Sequence, residues 1–166
     1  MLNEFRTLSR PMEPSKSWTR LEETVEEVIG PYRSSYPDVQ FIVENISADT
    51  VIKIDKHRFS QVLTNLLINA VDAMECKGII EIRCDIVKKR EIKYSRLSVR
   101  DTGKGIPKVE GANIFTPYHT TKESGTGLGL PIVERIVNDH GGAIWFNSME
   151  GKGTVFFIDL PVSEVE

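Results

Sequence analysis

The strongest constraint in the sequence is a helical pattern across residues 57–75. There Val62, Leu63, Leu66, Leu67, Ala70, Val71 and Met74 form one broad apolar stripe. A stripe that wide must be buried against a second layer, and the flanking segments supply one. Residues 39–46, 51–54, 79–87, 96–100, 143–147 and 154–160 read as strands, with Ser47-Ala48-Asp49-Thr50 as a turn between the first two. An earlier helix starts near Thr19, with Glu22 three residues on as a capping box. It carries Leu21, Val25, Val28 and Ile29 at helical spacing, and Gly30-Pro31 should end or bend it. A last helix spans 131–139, with Pro131 near its first position and Gly141 past its end. Strands and helices that are grouped without regular alternation predict an α+β chain. The expected form is a two-layer α/β sandwich whose mixed sheet is covered on one face by about three helices.

With 166 residues the chain suits one domain, or one domain plus an appendage. Two prolines in Pro11-Met12-Glu13-Pro14-Ser15 mark a linker. Residues 1–16 are therefore read as the end of a separate helix plus that linker, and 17–166 as the folded domain. A net charge of −3 gives no footprint for nucleic acid. Cys76 and Cys84 are too far apart for a CxxC motif and there are three histidines, so a zinc cluster is not expected and a reduced, cytoplasmic setting is. No apolar run approaches ~18 residues, which argues against membrane insertion.

Four local constellations carry chemistry. On the polar face of the long helix, Gln61, Asn65, Asn69 and Asp72 follow one another at spacings of four, four and three. Asparagine is a mediocre helix former, and its carbonyl is a hard oxygen ligand suited to Mg²⁺; the same face also reads as a solvated one. Asp101-Thr102-Gly103-Lys104-Gly105-Ile106-Pro107 follows a strand directly. A carboxylate there can accept from an exocyclic amine and the glycines admit a flat ring, although an ordinary Asp-Gly turn has the same letters. Ser124-Gly125-Thr126-Gly127-Leu128-Gly129-Leu130-Pro131 opens a helix and makes an anion site from free N–H groups. Its GxGxG spacing is neither the dinucleotide fingerprint nor a Walker A loop. Between these two lies an aperiodic stretch over 103–126, of a length that is usually functional or mobile. Within it, Ile114-Phe115-Thr116-Pro117-Tyr118-His119-Thr120-Thr121-Lys122 gathers aromatic, hydroxyl and cationic groups, and Lys122 is placed to reach a terminal phosphate.

Taken in this order, the four stretches resemble the catalytic, ATP-binding domain of sensor histidine kinases, in the superfamily shared with gyrase, MutL and heat-shock chaperone ATPases (the Bergerat fold). QVLTNLLINAVDAM looks like the N box, VRDTGKGIP the first glycine box, IFTPYHTTK the F box and GTGLGLPIV the second glycine box. GKGTVFFIDLP looks like the closing strand, and the flavour is closest to nitrogen-regulator-type kinases. The resemblance covers 57–161. It implies that Asn69 ligates Mg²⁺ and Asn65 assists at the phosphates, with Asp72 on the same face. Asp101 would take the adenine amine beside Gly103, Gly105 and Ile106, with Thr154 next to that aspartate. Thr121, Lys122, Gly125, Thr126, Gly127, Leu128, Gly129 and Leu130 would form a mobile ATP lid, with Lys122 at the γ-phosphate. Asn65, Asn69 and Lys122 would be the catalytic residues.

Two departures refine the expectation. Gyrase-type members carry a water-activating glutamate where this chain has Asn65, a poor general base. The site is thus expected to hold the γ-phosphoryl for an external acceptor. His57, His119 and His140 do not fit the family's phosphoacceptor pattern, so the acceptor is expected on a dimerisation domain whose last turns residues 1–10 resemble. The expected partners are that domain and a response regulator receiver, with the isolated domain monomeric. An anti-sigma-factor-type serine kinase, a gyrase-like clamp and a non-catalytic nucleotide-sensing module are the competing readings.

Overall fold

The structure, a computed structural model, describes residues 13–46, 50–120 and 125–162. In chain order its elements are β1 (Ser17–Arg20), α1 (Leu21–Ser35), β2 (Val39–Glu44), β3 (Val51–Ile54) and α2 (Lys56–Ala73). These are followed by β4 (Gly78–Lys89), β5 (Ile92–Asp101), α3 (Lys108–Gly111), α4 (Gly129–Asp139), β6 (Ala143–Met149) and β7 (Gly153–Pro161). The main sheet has the order β2-β4-β5-β7-β6, parallel between β2 and β4 and antiparallel at every other pair.

Strand alternation decides which face is core. Ile80, Ile82 and Cys84 of β4, Leu97 and Val99 of β5, and Phe156, Ile158 and Leu160 of β7 are all buried. Against them pack Leu21, Val25 and Ile29 of α1, the stripe of α2 including Phe59, and Ile132, Val133, Ile136 and Val137 of α4. The opposite face carries charge held in cross-strand pairs. Asp159 on β7 is 1% exposed, gripped by Arg96 of β5 at 2.7 and 2.9 Å and by Lys89 at 2.7 Å. Trp145 and Phe157 stack beside it at 5.4 Å. The expected α+β sandwich, with a mixed sheet covered by helices on one face, is the observed fold.

Several local expectations are corrected. Thr19 is not a helix cap: it pairs with Ile52 in the ladder of β1 with β3, and its hydroxyl donates to the Ser17 carbonyl. The helix begins at Leu21 with no side-chain cap. Strand β3 belongs to a separate two-stranded sheet with β1, and Ser47, Ala48 and Asp49 of the turn expected before it lie outside the described residues. Helix α1 runs through Pro31 to Ser35. A proline removes one intrahelical bond, and Tyr32 and Tyr36 beyond it still pack on the core, which holds the last turn in place. The expected loop over 103–126 contains the short α3.

Helix α2 is anchored at its start. The Asp55 carboxylate accepts from the Arg58 N–H at 3.1 Å, an N-cap bond. The buried His140, just past α4, receives the Asp55 backbone N–H on Nε2 at 3.0 Å and donates from Nδ1 to the Ile136 carbonyl at 2.7 Å. Arg58 reaches Asp139 at 2.9 Å, so the start of α2 is tied to the end of α4. Burial holds the His140 ring below its ordinary value of 6.5; the bond to Ile136 and nearby Asp55 oppose this, while Lys16 and Arg58 add to it. The unfolded chain then takes up the proton first, so stability should fall as pH drops below about 6.5 and level off beneath the depressed folded value. His140→Asn is expected to abolish that step and to cost about 2 kcal/mol at neutral pH through two impaired hydrogen bonds. Urea unfolding of both forms between neutral and acidic pH checks it.

Candidate functional site

A cleft of about 950 Å³ lies between α2, the strand ends of β5 and β7, and the start of α4. Its walls include Asn65, Asn69 and Asp72 of α2, Asp101, Gly105 and Ile106 after β5, Thr154 of β7, and Gly125, Thr126, Gly127, Gly129 and Leu130. Four stretches far apart in sequence thus converge on one space. Two proposed positions stand behind the wall. Gly103 contributes its backbone N–H to Asp101, and Leu128 is buried in the core, its N–H donating to the Thr126 hydroxyl at 3.3 Å. Thr121 and Lys122 lie outside the described residues.

The amphipathicity of α2 explains why its polar residues face the cleft: the leucine stripe turns inward, leaving the opposite face to line the opening. Asn65 donates its side-chain amide to the Gly129 carbonyl at 3.3 Å, linking the N box directly to the start of α4. Gly127 has φ +68°, and a Cβ there would lie 2.6 Å from the Tyr118 carbonyl carbon. Its carbonyl accepts from the Tyr118 N–H at 2.9 Å, so the chain closes on itself on either side of 121–124.

At the buried end, Asp101 is 5% exposed. Its Oδ1 accepts from the N–H groups of Gly103 at 2.8 Å and Thr154 at 3.3 Å, and Oδ2 keeps its acceptor capacity. Burial raises the carboxyl above its ordinary value of 3.8, and the two backbone bonds draw it only part of the way back. Unlike Asp159, this buried acid has no cation paired with it among the described residues.

The β6–β7 turn supports this end from behind. Gly151 donates its N–H to the Lys104 carbonyl at 2.7 Å, and Ser148 of β6 accepts from the Ile106 N–H at 2.8 Å. Sequence reasoning missed Ser148, since a lone serine in a strand carries no motif. It also missed Ile68, Cys76 and Phe156 in the wall; Ile68 and Cys76 were legible only as continuations of the face on which Asn65, Asn69 and Asp72 sit. Among the described residues, no group of three or more His, Cys, Asp or Glu could hold a metal. Nor is any helix among them long and apolar enough to cross a membrane.

A two-layer sandwich with a cleft between an asparagine-bearing helix and a glycine-opened helix defines a nucleotide-binding domain of the Bergerat class. The chain belongs to the histidine kinase-, DNA gyrase B- and HSP90-like ATPase family, whose model matches residues 54–164. It is 47% identical over 111 residues to sensor histidine kinase ZraS of Salmonella typhimurium, across 67% of this chain and 23% of that protein. The chain thus spans about a quarter of that relative's length. The nucleotide-free catalytic domain of histidine kinase ThkA superposes with a TM-score of 0.79 at 33% identity, covering 89% of this chain and 96% of that one. ThkA is also solved in complex with response regulator protein TrrA. Full-length ShkA, solved in complex with AMPPNP, matches at 25% identity and a TM-score of 0.80, over 99% of this chain and 35% of that chain.

The turn's close approach is testable. Gly105 has φ +73°, and a Cβ there would lie 2.3 Å from the Met149 carbonyl oxygen. Gly105→Ala is expected to destabilise the chain by about 2 kcal/mol or more, from backbone strain plus the collision. Urea unfolding checks this, and an unchanged midpoint would refute the contact.

Proposed function

We propose that this chain binds Mg–ATP in the cleft and donates the γ-phosphoryl to a histidine on a dimerisation domain, as the catalytic part of a two-component sensor kinase. The observation that carries the reading is the convergence of the N box, both glycine boxes and the start of the F-box-to-lid segment on one cleft, with a buried carboxylate at its closed end. The donor set fits such a ligand. Gly105 and Gly127 occur where a side chain would collide with the chain's own backbone, at Met149 and at Tyr118, so glycine lets these two stretches of the cleft wall pack closely behind the opening. The start of α4 offers free N–H groups and the positive end of a helix dipole to anionic oxygen.

In this reading Asp101 takes the adenine amine, with Ile106 and Thr154 beside it. Gly125, Thr126, Gly127, Gly129 and Leu130 meet the phosphates. Asn69 supplies a carbonyl ligand to Mg²⁺, whose remaining sites go to phosphate oxygens and water, and Asn65 steadies both the phosphates and α4. Thr121 and Lys122, outside the described residues, are taken as further nucleotide contacts, with Lys122 at the γ-phosphate. Asn65 does not activate water, so the γ-phosphoryl is kept for an external nitrogen nucleophile, and positioning with charge neutralisation supplies the rate. None of the chain's histidines suits the acceptor role: His140 has both ring nitrogens engaged, and His57 and His119 lie outside the acceptor pattern. A response regulator receiver is read as the next phosphoryl acceptor.

Thermal unfolding with ATP, ADP and GTP, each with and without Mg²⁺, tests the site. Adenine nucleotides at ~100 times their dissociation constant should add about 2.7 kcal/mol, and GTP much less. Transfer of phosphoryl from ATP to an added dimerisation domain tests the activity. Asp101→Asn is expected to weaken ATP binding about tenfold or more, since a charged acceptor is lost. The same change should leave the nucleotide-free fold at least as stable at neutral pH. With its folded value raised, Asp101 binds protons more tightly folded than unfolded, so stability falls as pH rises from about 3.8 through the folded value. Removing the charge removes that loss. Unchanged ATP affinity in this variant would refute the adenine assignment. Asn69→Ala should blunt the gain in affinity that Mg²⁺ brings, and an identical Mg²⁺ response would exclude Asn69 as ligand.

A further inference from the structure

Behind the adenine end, the Ser148 hydroxyl lies within hydrogen-bond distance of three groups. The Ile106 N–H is at 2.8 Å, the Gly153 carbonyl at 3.1 Å and the Thr154 hydroxyl at 2.8 Å. A serine hydroxyl has one hydrogen to give and two lone pairs to accept with. The amide can only donate and the carbonyl can only accept. All three contacts are made together in a single arrangement: Ser148 donates to Gly153 and accepts from both Ile106 and Thr154. The Thr154 hydroxyl therefore spends its hydrogen on Ser148 and is left with lone pairs alone. Thr154 and Asp101 both line the closed end of the cleft, and the Thr154 N–H is already committed to Asp101 Oδ1.

We infer that Ser148 fixes the Thr154 hydroxyl as an acceptor beside Asp101, so that two acceptors meet the 6-substituent of a bound purine and favour a 6-amino group, which has two hydrogens to give, over a 6-oxo group, which has none. The inference rests on the cleft being a purine-nucleotide site. Asp101 supplies one acceptor, and Ser148 ensures that the neighbouring hydroxyl does not offset it with a donor. Ser148 is a positioning residue: it acts through Thr154, and through Ile106 it also holds the first glycine box against the sheet. With Ser148 removed, the Thr154 hydroxyl is free to turn its hydrogen into the cleft, where it can meet a 6-oxo group. A buried acceptor left facing another acceptor is what makes such sites selective.

Isothermal titration of the chain with Mg–ATP, Mg–ITP and the Mg complex of purine riboside triphosphate, which has no 6-substituent, provides the test. The wild-type chain should bind ATP tightest and ITP weakest. In Ser148→Ala the ATP-to-ITP preference should fall about tenfold, the scale of one hydrogen bond. In a Thr154→Val background, the same serine change should leave the preference as it stands, because the group it orients is gone. Ser148→Cys keeps the bulk with a weaker hydrogen bond, and should lower the preference in the same direction if the alanine variant does not fold. A Ser148 variant that binds both nucleotides more weakly by the same factor would overturn the inference and leave Ser148 as a brace for the glycine box. A wild-type chain that binds none of the three triphosphates would instead overturn the reading of the cleft.

Discussion

Helix α2 divides its circumference between two tasks, and most of the molecule follows from that division. Its inward residues, Phe59, Val62, Leu63, Leu66, Leu67, Ala70 and Val71, are buried against the sheet and against α1 and α4. Each of these side chains other than Ala70 contributes on the order of 1.5–3 kcal/mol by leaving water. That burial fixes the rotation of the helix about its own axis, and the rotation in turn aims Asn65, Asn69 and Asp72 into the cleft. At the helix start, the Asp55 cap and the bonds from Asp55 to His140 and from Arg58 to Asp139 fix its position along that axis. The polar face is thus oriented by packing on the other side of the same helix.

Much of this was legible in the sequence because periodicity reports burial directly. The stripe of α2, the strands of the main sheet and the helix after the second glycine box all follow one-dimensional patterns that tertiary contacts reinforce. The failures share a cause as well. Strand β1 is four residues long and exists because Trp18 and Thr19 lie in register with Lys53 and Ile52, a pairing more than thirty residues distant that no local pattern announces. Thr19 followed by Glu22 has the letters of a capping box, but the hydroxyl is committed to the Ser17 carbonyl within a strand. Pro31 carries the usual signal for a helix end, and packing of Tyr32 and Tyr36 outweighs the single bond it deletes.

The site divides along the same line. Asn65, Asn69, Asp101, Gly105, Gly125, Gly127 and Gly129, which line the cleft, were legible as candidates because they sit in contiguous motifs. Ser148 was not, because its importance lies in where the β6–β7 hairpin folds back: the turn meets the first glycine box through Ser148 and Ile106, and through Gly151 and Lys104. A motif names the residues that meet a ligand. The residues that hold those residues in place come from whatever strand happens to lie behind, and their identity is a property of the topology.

Two buried carboxylates set the site apart from its scaffold. Asp159, on the solvent side of the sheet, is matched by Arg96 and Lys89, which hold its carboxyl below the usual range even though burial works against them. Asp101 is nearly as buried, has only backbone N–H groups, and is held above the usual range. If Asp101 served the fold, the sequence that placed Arg96 directly opposite Asp159 had the means to pair it. Leaving it unpaired keeps one oxygen available and makes the carboxylate costly to bury until a donor arrives from outside the chain. Uncompensated polarity of this kind is expected where binding, rather than folding, supplies the missing partner. The fixed polarity of the Thr154 hydroxyl extends the same logic, since an acceptor held beside Asp101 by Ser148 is put to use once a ligand with hydrogen to give occupies the cleft.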